Sequence, residues 1–126
     1  MQVTFIKSIG KESAALINKT QMLKGILEGC ILSLLSKEKM YSQEIAAKLE
    51  ECGITGVSDG TLFPLLLRLE NEGLIASEKV PVSNGPCRKY YTASTLGADE
   101  LSKFSAIWAE LSPAVEKIIE GGKQNG

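Results

Sequence analysis

The chain contains no histidine, and its three cysteines, Cys30, Cys52 and Cys87, stand too far apart to form a C-x-x-C pair. The usual nitrogen and sulfur ligand sets for zinc are therefore missing, and no metal is expected. The commonest general acid–base side chain is missing as well. No nucleophile elbow, phosphate-binding glycine loop or supported carboxylate pair occurs. The chain reads as a non-enzyme, and no cofactor is expected. No apolar run reaches the roughly 18 residues of a membrane span, so no membrane partner is expected. The opening MQVTFIKSIGKESAALINKTQ lacks a continuous apolar core and a small-residue cleavage site, so it is not a signal peptide. The default expectation is a cytoplasmic protein. A surplus of positive charge is also lacking: 14 basic residues face 15 acidic ones, for a net charge of −1. Nucleic-acid binding would have to come from a local patch.

What is present suits one domain with an added interaction helix. The 126 residues are 44% hydrophobic, enough for a modest core. Leu23, Ile26, Leu27, Cys30, Ile31, Leu34 and Leu35 recur at spacings of three and four. They predict a helix over 21–37, with Thr20 as its N-cap. Tyr41 is short-strand or linker material. Ser42 is the N-cap expected for a second, short helix, which buries Ile45, Ala46 and Leu49 and ends near Gly53. Ser58 or Asp59 caps a third helix, with Leu62, Leu65, Leu66 and Leu69 facing inward and Gly73 past its end. "LIASEKVPV" reads as a strand with Pro81 near its edge. "SNGP" is a turn and "CRKYYTA" a second strand. The last helix runs from about Ser94 to Glu120. "KESAALINKT" suggests a further short helix near the N-terminus.

Three helices followed by a hairpin make a winged helix-turn-helix. The expected fold is mainly α (α+β): a winged-helix domain plus a long C-terminal dimerisation helix. Its divisions are an N-terminal extension over 1–19, a DNA-binding domain over 20–93, the dimerisation helix over 94–121 and a flexible tail over 122–126.

The third helix opens oddly, with Gly60, Thr61, Phe63 and Pro64 in its first turns. Thr61, Pro64 and Arg68 lie three and four apart, which puts them on one face away from the leucines. The N–H groups at Ser58–Thr61 suit a phosphate. No acidic residue lies between Gly60 and Leu67. Arg68 suits a phosphate or a guanine edge, and Phe63 a thymine methyl or a gap beside the second helix. The rival reading is a slightly strained core helix kinked at Pro64. In the hairpin, Arg88 and Lys89 follow a Gly-Pro turn, and strand alternation sends them to opposite faces. Their plain alternative is a solvated hairpin.

In the last helix Leu101, Phe104, Trp108, Leu111, Val115 and Ile118 form an a/d seam, which Ile107, Ala114 and Ile119 widen. Such a stripe must pack on a partner subunit or on the first helix. Dimerisation is the preferred reading. Ser112-Pro113 predicts a kink, with Pro113 opening a restarted segment. Trp108, the single tryptophan, suits a dimer-interface anchor.

Four stretches together resemble the PadR family of bacterial transcriptional regulators. They are "LKGILEGCILSLLS" at 23–36, "MYSQEIAAKLE" at 40–50, "GTLFPLLLRLENEGLI" at 60–75 and "GPCRKYYTASTLGADEL" at 85–101. The resemblance implies a homodimeric repressor on double-stranded DNA with an inverted-repeat operator, often released by a small-molecule effector. Carried over by motif, the implied DNA contacts are Tyr41, Ser42, Thr61, Phe63, Pro64, Arg68, Arg88 and Lys89. Similarity to multidrug-sensing members adds Trp108 as a platform for a small planar or hydrophobic effector. Phe63 stands where the family usually has tyrosine, and Cys87 where it more often has proline, glycine or arginine. Ala93 and Ser94 replace a usual leucine and threonine, an exchange expected to loosen the strand-to-helix junction. The reading from another class is a winged-helix protein-interaction module without DNA binding. The near-neutral charge and the acidic Glu70 and Glu72 favour it.

Overall fold

The first helix is broken, and the break has a local cause. The computed structural model describes residues 17–125, with side chains to residue 121. The short helix expected near the N-terminus lies largely outside that range. Helix α1 spans Lys19–Leu23 and α2 spans Leu27–Lys37, in place of one helix over 21–37. Asn18, not Thr20, is the N-cap: its Oδ1 accepts from Gln21 N–H at 2.9 Å. Between the helices, Lys24 N–H donates to Gln21 O at 3.3 Å and Ile26 N–H to Leu23 O at 2.9 Å. These are bonds of the tighter 3-10 kind, and Gly25 sits in the turn.

Strand β1 is the dipeptide Met40–Tyr41, and α3 follows at Ser42–Glu51. The N-cap of α3 is Tyr41, one residue before the expected Ser42, and its N–H donates to Glu44 Oε1 at 3.1 Å. Pairing explains the shift. Met40 opposes Tyr91 and Tyr41 opposes Tyr90, so the backbone stays extended through Tyr41. Helix α4 spans Asp59–Asn71 with Ser58 as N-cap. Gly53 and Gly73 follow α3 and α4 at φ of 109° and 78°, the left-handed turn that glycine makes without a Cβ penalty.

Strands β2, Ile75–Val82, and β3, Gly85–Ala93, form the hairpin, and the sheet order is β1-β3-β2. The turn is only residues 83–84, so Gly85 and Pro86 belong to β3. Pro81 falls at a register shift on the edge strand β2, where its missing N–H leaves no ladder bond broken.

Helix α5 runs over Thr95–Asn125 as one element. Pro113 does not restart it and Ser112 does not cap it. The missing proline N–H costs one helical bond, and the helix formers on either side carry the winding through. The junction into α5 is pinned rather than loosened. Ser94 N–H donates to Leu74 O at 3.0 Å, and its hydroxyl donates to Gly73 O at 2.6 Å. The same hydroxyl accepts from Gly97 N–H at 3.0 Å. Gly97 is needed for this closeness, because a Cβ there would collide with the carbonyl oxygen of Leu74.

The core lies where α2, α3 and α4 meet the sheet. Leu27, Ile31, Ile45, Leu62, Leu66 and Leu69 are its most completely buried side chains. Leu101 packs against this core from α5, and the Phe104 ring lies over Gly29, where any Cβ would collide with it. From Ile107 onward the apolar side of α5 is exposed among the described residues, Trp108 at 50% and Ile118 at 75%.

Candidate nucleic-acid interface

Helix α4 is held by its leucines, so its other sides are available. Leu62, Leu66 and Leu69 are buried, Leu65 packs against them, and Phe63 and Leu67 are exposed. Thr61, Pro64 and Arg68 do not lie straight opposite the leucines. They form one flank of the helix and line a groove of about 410 Å³ against Thr20, Leu23 and Lys24. The expectation went astray because Leu62 and Leu69, not Leu65, set the inward direction. Leu67, absent from the inward set of leucines, is exposed. Helical phase puts it on the side away from Leu62, Leu66 and Leu69.

The start of α4 is polar and open. Ser58 and Asp59 are exposed, and Ser58 Oγ lies 3.4 Å from Thr61 Oγ1. Ser58 O accepts from both Thr61 and Leu62 N–H, at 3.0 and 2.9 Å. The amides of Asp59 and Gly60 precede any helical acceptor, which is the arrangement that favours an anion.

The three cations assigned to DNA have different surroundings. Arg68 Nη1 lies 2.8 Å from Glu28 Oε2, and its Nε lies 3.3 Å from Glu72 Oε2. Lys89 Nζ lies 3.2 Å from Glu70 Oε1. Glu70 also accepts from Ser77 Oγ at 2.6 Å. That hydrogen bond, more than Lys89, holds the Glu70 carboxyl below the ordinary carboxylate value, and the bond to Glu70 holds Lys89 above the ordinary amine value. Arg88 has no ion pair among the described residues. Its guanidinium carbon lies 4.4 Å from the centroid of the Tyr41 ring, a cation–π stack. Tyr41 in turn meets Tyr90 edge-on, with centroids 5.3 Å apart. The β1–β3 pairing thus brings Tyr41, the N-cap of α3, beside Arg88 of the hairpin. Tyr90 completes this cluster and was not foreseen, because a two-residue strand leaves too little pattern to predict its partner.

The apolar side of α5 borders a second groove, of about 600 Å³, between Met22, Gly25 and Ile26 and the residues Trp108, Leu111 and Val115. Leu101 and Phe104, the first two positions of the predicted seam, are engaged within the chain. Ile107, Trp108, Leu111, Val115 and Ile118 are exposed among the described residues. Cys30 is half-buried, and burial, then the neighbouring Cys52, pushes its thiol up, away from the reactive thiolate form. Among the described residues no three metal-ligating side chains gather, and no helix is long and apolar enough to cross a membrane.

Residues 31–103 match the model of the transcriptional regulator PadR-like family. The chain is similar to a PadR-like transcriptional regulator of Bacillus cereus, at 43% identity over 79% of this chain and 96% of that one, with a TM-score of 0.71. It is similar to a PadR-like transcription factor of Bacteroides fragilis, at 44% identity over 79% and 95% of the two chains, with a TM-score of 0.68. A Streptococcus transcriptional regulator matches at 38% identity over 79% and 98%, with a TM-score of 0.70.

Proposed function

The chain belongs to the PadR-like family of transcriptional regulators, which makes it a DNA-binding regulator and not an enzyme, and from that premise we propose that it acts as a homodimeric repressor on an inverted-repeat operator. The observation that carries the DNA-contact assignment is the stack of Arg88, which has no ion pair among the described residues, on Tyr41 at the start of α3. There Arg88 grips a phosphate on one side of the groove. The N–H groups at the start of α3, near Tyr41 and Ser42, bind the backbone as helix N-termini do. The first turns of α4 enter the major groove, where Ser58, Thr61, Phe63 and Pro64 meet base edges and sugars. Lys89 supports the hairpin through Glu70.

One such helix reads few base pairs, and a two-fold dimer doubles them. Ile107, Trp108, Leu111, Val115 and Ile118 form the dimer contact in this reading. Residues 20–93 are then the DNA-binding unit and 94–121 the dimerising helix, in a cytoplasmic protein. The groove beside Trp108 takes a small planar or hydrophobic effector, whose binding releases the operator.

The test is enrichment of sheared DNA from the source organism by the purified chain at low and moderate salt. The expected result is one shared inverted repeat that survives moderate salt. Absence of enrichment under every condition would contradict the proposal and favour a protein-interaction role.

A further inference from the structure

Arg68 is the single cation of α4, and so the obvious side chain to give to a phosphate. Its surroundings oppose that role. Arg68 stands between Glu28 and Glu72, so one cation faces two carboxylates. A phosphate arriving there meets a net negative field. Arg68 also lies ten residues from Ser58, about 15 Å along the helix axis, while a recognition helix reads bases with its first turns.

Glu28 is the more enclosed partner, 26% exposed against 60% for Arg68. Its Oε2 is out of solvent and lies 2.8 Å from Arg68 Nη1, a close ion contact without hydrogen-bond alignment. Glu28 stands in the first turn of α2, next to Gly29, on which the Phe104 ring of α5 rests. The pair therefore ties the far end of α4 to the place where the C-terminal helix bears on α2. A partly exposed ion pair adds little to stability. It does link α2 to the far end of α4, and a rotation at that end would displace the reading turns at the other.

We propose that Glu28 is a positioning residue for DNA binding, and that Arg68 serves as its brace on α4 instead of contacting phosphate. The proposal rests on the DNA-binding reading above. It is tested with the full chain and the DNA that the native chain enriches, by measuring affinity and its salt dependence. Glu28→Met frees Arg68 from its nearer carboxylate and leaves it Glu72. If Arg68 is a brace, binding weakens by roughly three- to thirty-fold, the range of a modest coupling energy. Arg68→Gln weakens binding similarly and leaves the log–log salt slope unchanged. The exchange Glu28→Arg with Arg68→Glu remakes the pair in reverse and recovers most of the affinity.

Tighter binding by Glu28→Met would overturn the proposal, because a freed phosphate contact gains affinity. So would a fall of about 0.9 in the salt slope on Arg68→Gln, the signature of one lost phosphate contact. Unchanged affinity in both single variants would overturn it too. Should the exchange variant not fold, the opposite signs expected of Glu28→Met still decide. A native chain that enriches no DNA overturns the DNA-binding reading and this proposal with it, before any variant is made.

Discussion

Gly97→Ala adds one methyl group where α5 crosses the end of α4. That methyl meets the Leu74 carbonyl oxygen, with the carbonyl carbon 3.1 Å and Leu32 Cδ2 3.3 Å away. The backbone oxygen cannot step aside, because it accepts from Ser94 N–H. Helix α5 must move instead, and the Ser94 hydroxyl loses its grip on Gly73 O and Gly97 N–H. Overpacking of this kind costs about 1–3 kcal/mol, and each disturbed hydrogen bond about 1 kcal/mol. Alanine returns about 1 kcal/mol through its better helix propensity. The net expectation is a loss of about 3 kcal/mol, which lowers the urea midpoint by about 1.5 M for a slope near 2 kcal/mol/M. Gly121→Ala in the same helix has nothing within 4 Å and is expected to gain up to about 1 kcal/mol. Both are read by urea unfolding at one fixed protomer concentration, since association contributes to apparent stability. If Gly97→Ala matched or exceeded the native midpoint, the close crossing of α5 over Leu74 would be wrong.

Three further outcomes are expected. Leu111→Asp puts a charge into the exposed seam of α5 and should give monomers in sedimentation; a dimer as tight as the native one would move the interface elsewhere. Arg88→Ala should weaken binding to all DNA sequences and lower the salt slope by about 0.9, whereas Lys89→Ala should change the slope less, because Lys89 already has Glu70. Equal slopes for Arg88→Ala and the native chain would take the hairpin out of the contact. The Glu70 carboxyl is held below its ordinary value of 4.5, so its contribution to stability is present above that value and is lost as pH falls through the folded-state value. Glu70→Gln should therefore be less stable than the native chain near pH 7, and the gap should close in acid. A gap of constant size across that range would remove the carboxylate as its cause.

Much of the fold was legible in the sequence because it rests on helical periodicity, β-forming residues and turn signals. The leucines of α4 announce themselves by helical spacing, and the strands by β-forming residues on either side of a turn signal. Gly53 and Gly73 mark helix ends because left-handed backbone there favours glycine. What escaped was set by groups distant in sequence or by competition among neighbours. Asn18 took the cap from Thr20, and Gly25 let the first helix break. Tyr41 became a cap only because Tyr90 and Tyr91 hold its strand. The carboxylates around Arg68 come from α2 and from just past α4, and no local pattern ties Glu28 to Arg68 forty residues away. The seam of α5 was visible as one stripe. Its division into an inner part at Leu101 and Phe104 and an outer part from Ile107 onward depended on Gly29, whose bare backbone admits the Phe104 ring.

The most direct test of the central claim is the stoichiometry of the complex with the enriched DNA, measured by sedimentation at low and moderate salt. The account predicts two chains on one duplex carrying two half-sites about one helical turn apart, with affinity that falls steeply as salt rises. A single chain per duplex, or binding indifferent to salt, would contradict it.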